Sequence, residues 1–158
     1  GPPRRRQDDR RMANLLAAAP DKKAVCGGTT SNIVAREWKV PLEVDLRYCS
    51  PTIPPLGRMP GVDLVTEGII TISGALEKLK SLYQGKGMGE VLTGEDGANL
   101  LAKLLWESDQ VHFLLGGAIN PAHQNPELPP GLALKEQVIV ELTRCLEKAG
   151  KEVQVTSF

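Results

Sequence analysis

The sequence predicts an α/β protein: a layered sandwich with a mainly parallel sheet of about five strands and helices on both faces. Short apolar or alternating runs at 23–26, 42–46, 62–66, 111–115 and 152–156 are separated by segments whose apolar residues step by three and four. Strands alternating with helices along one chain give a layered fold with parallel pairing. The run Val111-His112-Phe113-Leu114-Leu115 is nearly all apolar, as expected of a central parallel strand covered on both faces.

Each element has a local reason. Residues 8–19 suit a helix capped by Asp8 or Asp9, with Met12, Leu15, Leu16 and Ala19 on one face, and Pro20-Asp21 ends it. Lys23 to Cys26 is a strand running into a Gly-Gly turn. Residues 31–38 form a helix with Ile33, Val34 and Trp38 inward. The run 42–46 alternates with period two and reads as an edge-like strand. Ser50 to Gly57 holds three prolines and is expected to be a fixed loop without regular structure. Its Ile53-Pro54-Pro55 core would be the contact surface if the domain were a scaffold or homodimerisation module.

Val62 to Thr66 is a third strand. Ile69, Ile72, Leu76, Leu79 and Tyr83 then give a strongly periodic helix. Gln84 to Gly94 is Gly-rich and is expected to be mobile. Helix 96–107 carries Leu100, Leu101, Leu104 and Leu105. A long polar loop, 116–130, leads to helix 134–149, which ends at Gly150. Glu152 to Thr156 closes as an alternating strand.

The whole chain, 1–158, is therefore read as a single α/β domain with a flexible basic lead-in at 1–7. Hydrophobic content of 41% and charged content of 24% are those of an ordinary globular protein. Nineteen basic and nineteen acidic residues balance to zero, which argues against a nucleic-acid partner. No apolar run approaches a membrane span. The three cysteines, Cys26, Cys49 and Cys145, lack metal-ligand spacing, and buried thiols in a reducing cytoplasm are expected. Gly1-Pro2 is either native sequence or the scar of tag removal.

The chemistry concentrates in three polar segments that follow strands. The first is Gly27-Gly28-Thr29-Thr30-Ser31-Asn32, where free amides and hydroxyls at a helix start favour an anion. The same residues also serve a plain turn and cap. The second is Asp63-Leu64-Val65-Thr66-Glu67-Gly68. Asp63 and Glu67 could hold a divalent metal or act as acid and base, though capping by Thr66 or Glu67 is the simpler reading. The third runs from Gly116 to Pro126, where Asn120, Gln124 and Asn125 surround His123. These groups either contact a ligand or bond their own loop. In an open α/β sheet ligands collect beyond the carboxyl ends of the strands, and a parallel sheet would bring all three segments there. His112, mid-strand, reads as a satisfied core histidine. Cys26 reads as buried packing rather than a nucleophile.

Lys23-Ala24-Val25-Cys26-Gly27-Gly28-Thr29-Thr30, with Asn32-Ile33-Val34-Ala35-Arg36, resembles a block toward the C-terminus of bacterial metal-dependent serine/threonine phosphatases similar to the sporulation stage II phosphatase E. Asp63 to Ile69, Asn120 to Pro126 and the Gly-Pro-Pro start resemble other parts of that tail. The resemblance covers nearly the whole chain. It implies an accessory C-terminal domain, a fragment of a larger protein with the phosphatase domain in the same chain. The phosphatase mechanism needs aspartates at strand ends around two metal ions. Here Asp96-Gly97 and Asp8-Asp9 stand at helix starts, so no catalytic residue is carried over.

The expectation is a ligand-sensing or interaction domain that takes a small anionic or phosphorylated ligand and requires no cofactor or metal. Gly27, Gly28, Thr29, Thr30 and Ser31 would hold the anion. Asn32, Asp63, Thr66 and Glu67 would flank it, and Asn120, His123, Gln124 and Asn125 would set specificity. The alternative is a small transferase or hydrolase in the same crevice, with His123 or Glu67 as acid or base.

Overall fold

A computed structural model describes residues 1–45, 54–118 and 134–158. The order of elements is α1 (Asp9–Ala18), β1 (Ala24–Cys26), α2 (Gly28–Trp38), β2 (Glu43–Asp45), β3 (Leu56–Arg58), β4 (Leu64–Thr66), α3 (Ile69–Tyr83), α4 (Met88–Val91), α5 (Gly97–Glu107), β5 (Gln110–Leu115), α6 (Leu134–Lys148) and β6 (Glu152–Ser157). A single 3-10 turn, Arg6–Asp8, precedes α1.

The alternation of strands and helices is present, but the sheet differs from expectation in two ways. Among the described residues the strands form two sheets, a four-stranded one in the order β1-β4-β3-β2 and a two-stranded one, β5-β6. The first is mixed: β1 and β4 are parallel, while β3 runs antiparallel to both β4 and β2. Only β5 and β6 repeat the parallel arrangement. The departure begins at β3, in the Pro-rich stretch read as irregular. Prolines 51, 54 and 55 all precede the three paired residues, so none removes a ladder amide. Gly57 makes the pairing sterically feasible, because a Cβ there would lie 2.6 Å from Val65 Cγ1.

Side-chain alternation gives the four-stranded sheet two apolar faces. Val25 and Val65 point to one, where they meet Met59, Val34 and Ala35, with Leu16 and Trp38 packed alongside. Ala24, Cys26 and Leu64 point to the other, against Ile72, Leu76, Leu79, Leu101, Leu105, Leu142 and Leu146 from α3, α5 and α6. Thus α1 and α2 cover one face and α3, α5 and α6 the other. Helices on both faces are as expected.

Several local expectations need correction. Asp8 occupies the cap position of α1 without a side-chain cap bond. Asp9 is buried and instead pairs with Arg36 at 2.6 Å, so the acid joins α1 to α2. The Trp38 indole N–H donates to the Ala13 carbonyl at 3.0 Å across the same seam. α2 starts at Gly28 rather than Ser31. The Gly-rich stretch expected to be mobile contains the short helix α4, whose Val91 carbonyl accepts from Lys78 Nζ at 3.1 Å.

β5 is not a central strand: among the described residues its one partner is β6, and its first four residues alternate between exposed and half-buried. His112 follows that alternation. It is exposed on β5 with Nε2 2.8 Å from Thr156 Oγ1, a partnered histidine on the surface rather than in the core.

Leu79 is fully buried between α3, α5 and α6. Leu79→Ala should cost about 2–5 kcal/mol in urea unfolding, and a cost under about 1 kcal/mol would contradict this core.

Candidate functional site

The site grows out of one parallel pair. β1 and β4 are in register Ala24↔Leu64, Val25↔Val65 and Cys26↔Thr66, and the Gly27 amide extends the ladder to the Thr66 carbonyl at 2.8 Å. At their shared carboxyl end the chain leaves in opposite directions, from β1 into α2 on one face and from β4 into α3 on the other. That divergence between neighbouring parallel strands is a topological switch point, where open α/β sheets form their ligand crevices.

Two glycine turns line this point and lie side by side. A Cβ on Gly68 would lie 3.6 Å from the Gly27 Cα, and one on Gly27 would lie 3.8 Å from the Gly68 Cα. Gly27 has φ 119° and ψ 129°, a backbone shape open in practice to glycine alone. The N-termini of α2 and α3 are therefore held side by side. Neither Gly27 nor Gly68 provides a side-chain cap bond. The amides of Gly28, Thr29 and Thr30, and those of Ile69 and Ile70, precede the first intrahelical bonds, which run from Ser31 to the Gly27 carbonyl (2.9 Å) and from Ile72 to the Gly68 carbonyl (3.1 Å). Two sets of unpaired donors and two positive dipole ends thus share one place. Thr30 adds a hydroxyl shielded from solvent, with no hydrogen-bond partner among the described residues.

The sequence-predicted residues divide sharply here. Gly27, Gly28, Thr29, Thr30 and Glu67 border the crevice. Ser31 does not offer itself: it is buried, and its hydroxyl donates to the Gly27 carbonyl at 2.9 Å. Thr66 is buried as well and donates to the Glu67 carbonyl at 2.8 Å. Asn32 is exposed one turn along α2. Asp63 stands at the amino end of β4, about 13 Å along the chain from Glu67 at ~3.3 Å per residue. It accepts from Lys22 Nζ at 2.9 Å and from the Lys23 amide at 2.8 Å, and the Lys22 bond holds its carboxyl below the usual range. Asp63 and Glu67 therefore cannot act together on one metal or one proton. Asn120, His123, Gln124 and Asn125 lie outside the described residues, as does Cys49.

Cys26 sits at the base of the crevice. Burial pushes its thiol up, which makes it packing rather than a nucleophile at neutral pH. Among the described residues, no three His, Cys, Asp or Glu side chains gather where an ion could sit, and no helix is long and apolar enough to cross a membrane.

A cavity of about 1080 Å³ opens from the crevice, bordered by Lys23–Thr30, Glu67–Ile70, β5 and parts of α1, α5 and α6. Lys135, on its rim, was not among the residues read from the sequence. Its ammonium donates to the Gly116 carbonyl and, at 3.2 Å, to that of Ala118, and burial lowers its pKa. Nothing local marks this lysine: it lies in the first turn of a helix like many others. The carboxyl end of β5 comes to the same rim, so the described part of the third polar segment does converge with the first two.

No protein-family model, curated protein or solved structure matches the chain. The functional reading therefore rests on this geometry and on the resemblance given above.

Asp96 is the contrasting helix start. Its carboxylate accepts from the Ala98 and Asn99 amides at 3.0 and 3.1 Å. Burial raises its pKa, but the bonds from Asn99 and Ala98 prevail and hold it below the usual value. A depressed carboxylate stabilises the fold above its unfolded pKa, and that contribution fades as pH falls through the folded pKa. Asp96→Ala should cost about 1 kcal/mol near pH 7. In urea unfolding across pH, the difference between parent and variant should begin to shrink as pH falls below about 4; a difference that does not shrink there as pH falls further would contradict the charged cap. Cys26 should resist iodoacetamide at pH 8 in the folded protein and react once urea unfolds it. Peptide mass spectrometry would show this, and rapid native labelling would contradict a half-buried thiol of raised pKa.

Proposed function

We propose that this chain is a ligand-binding regulatory domain that takes a small anionic or phosphorylated ligand where α2 and α3 begin. The observation that carries the reading is the contact between Gly27 and Gly68, which sets two uncapped helix N-termini at one switch point. A phosphate or carboxylate there would accept from the Gly28, Thr29 and Thr30 amides and from those opening α3. The Thr29 and Thr30 hydroxyls complete the cradle. The resemblance to phosphatase accessory domains supports a place beside a phosphatase domain in the same chain. Ligand occupancy would then be reported to that neighbour through α2 and α3, the two helices whose starts touch the ligand.

The enzymatic alternative draws less from the geometry. Glu67 is exposed at the rim, and among the described residues no three His, Cys, Asp or Glu side chains gather there.

Thermal unfolding with inorganic phosphate and with acyl, sugar and nucleoside phosphates tests the reading. A ligand at a hundred times its dissociation constant adds about 2.7 kcal/mol, which raises the Tm by several degrees. Gly28→Pro is the selective variant. It removes one amide donor at the first helical position, where proline is tolerated, and no atom lies within 4 Å of a Cβ there. The Tm without ligand should hold while the ligand-induced shift falls by at least half. The Thr29→Val/Thr30→Val double variant should lose the shift. An undiminished shift in both variants would overturn the site.

A further inference from the structure

We propose that the ligand is a long-chain anion, an aliphatic carboxylate or monophosphate, whose headgroup lies at Gly27–Thr30 and whose tail fills the cavity between β1 and β5. This rests on the anion site proposed above and adds the class of molecule it takes.

The cavity exists because the sheet is interrupted. β1 ends the four-stranded sheet, and β5 pairs with β6 on one side only. The Lys23 carbonyl and Gly27 amide bond toward β4, so by alternation the Ala24 and Cys26 backbones face away from it. Both strands border the space, so it passes from one sheet face to the other. Its walls are Leu16 from α1, Ile72 from α3, Leu105 from α5, Phe113 from β5 and Leu142 from α6. At about 1080 Å³ it lies at the upper end of ligand-pocket sizes, roughly 300–1,000 Å³.

A free phosphate or small sugar phosphate would use only the rim and leave this apolar volume unfilled. A nucleotide would bring a polar base to walls where, among the described residues, Phe113 is the one Phe, Tyr or Trp. An alkyl chain matches them.

Charge decides which end takes the head. At the amino ends of the strands, Lys22 is committed to Asp63 (2.9 Å), and Gln110 and Glu152 are bonded to each other at 2.6 Å. At the carboxyl ends stand the unpaired amides of α2 and α3. Lys135 is there too, with two of its three N–H donors used on carbonyls and one left for an anion.

Calorimetric titration of the purified chain with inorganic phosphate, with butyl, hexyl, octyl and decyl phosphate, with decanoate and with decanol, each below its micelle concentration, tests this. Affinity should rise about three- to fourfold per methylene along the phosphate series, and decanol should bind at least tenfold more weakly than decyl phosphate. Comparing decanoate with decyl phosphate tells which headgroup the rim prefers. Leu105→Trp should flatten the chain-length series while sparing inorganic phosphate. If that variant does not fold, the series on the parent chain decides alone. Phosphate binding without chain-length dependence overturns this inference and leaves the anion site standing. Equal affinity for decanol and decyl phosphate overturns the headgroup placement and the anion site with it. No binding by any probe overturns both.

Discussion

Everything in this fold is arranged around the parallel pair β1 and β4 and the backbone contact between Gly27 and Gly68 just beyond it. Three residues in each strand make few hydrogen bonds, so the pair draws its stability from the apolar layers on its two faces. Those layers require α2 to leave on one side and α3 on the other. Once the helices diverge, their first turns have to start from adjacent points, and the positive φ of Gly27 is the backbone shape that makes the first of those turns. The crevice is thus a consequence of core packing.

Polar side chains near this point are largely consumed by the protein itself. Ser31 and Thr66 bond backbone carbonyls, and Asp9 holds α1 to α2 through Arg36. Besides the Thr30 hydroxyl, what remains unpaired is main-chain N–H, which cannot be neutralised by a change of pH and whose direction is set by the helix axes. Such donors suit recognition of an anion by shape and charge. Asp96 shows the other solution: an acidic side chain answers the same electrostatic demand at α5 from within the chain.

The second organising constraint is the break between β1 and β5. A continuous sheet would have covered the inner faces of α1 and α6 with backbone. The break leaves apolar side chains from both layers facing a common space, with the rim of free amides and Lys135 at one end. The amphipathic character of the site thus follows from where the sheet stops.

Much of this was legible from local pattern. Apolar spacing by three and four announced α3, α5 and α6, and the strand before Gly27-Gly28 and the helix after it were evident because that signal is confined to neighbouring residues. The sequence also determined that the Gly27-Gly28 turn would lead from a strand into a helix, since glycine and hydroxyl residues at a helix start act over a single turn, though that helix begins at Gly28 rather than Ser31. β3 was missed because prolines beside a strand look the same in sequence as prolines within one. Asp63 was grouped with Glu67 at the start of α3 because the two are close in sequence, whereas the extended strand between them sets them at opposite ends of β4. Strand order, the break beside β5, the meeting of Gly27 with Gly68 and the arrival of Lys135 were decided by the tertiary structure alone. Each joins residues tens of positions apart, and such contacts are selected by how whole apolar faces pack, a quantity no local pattern contains.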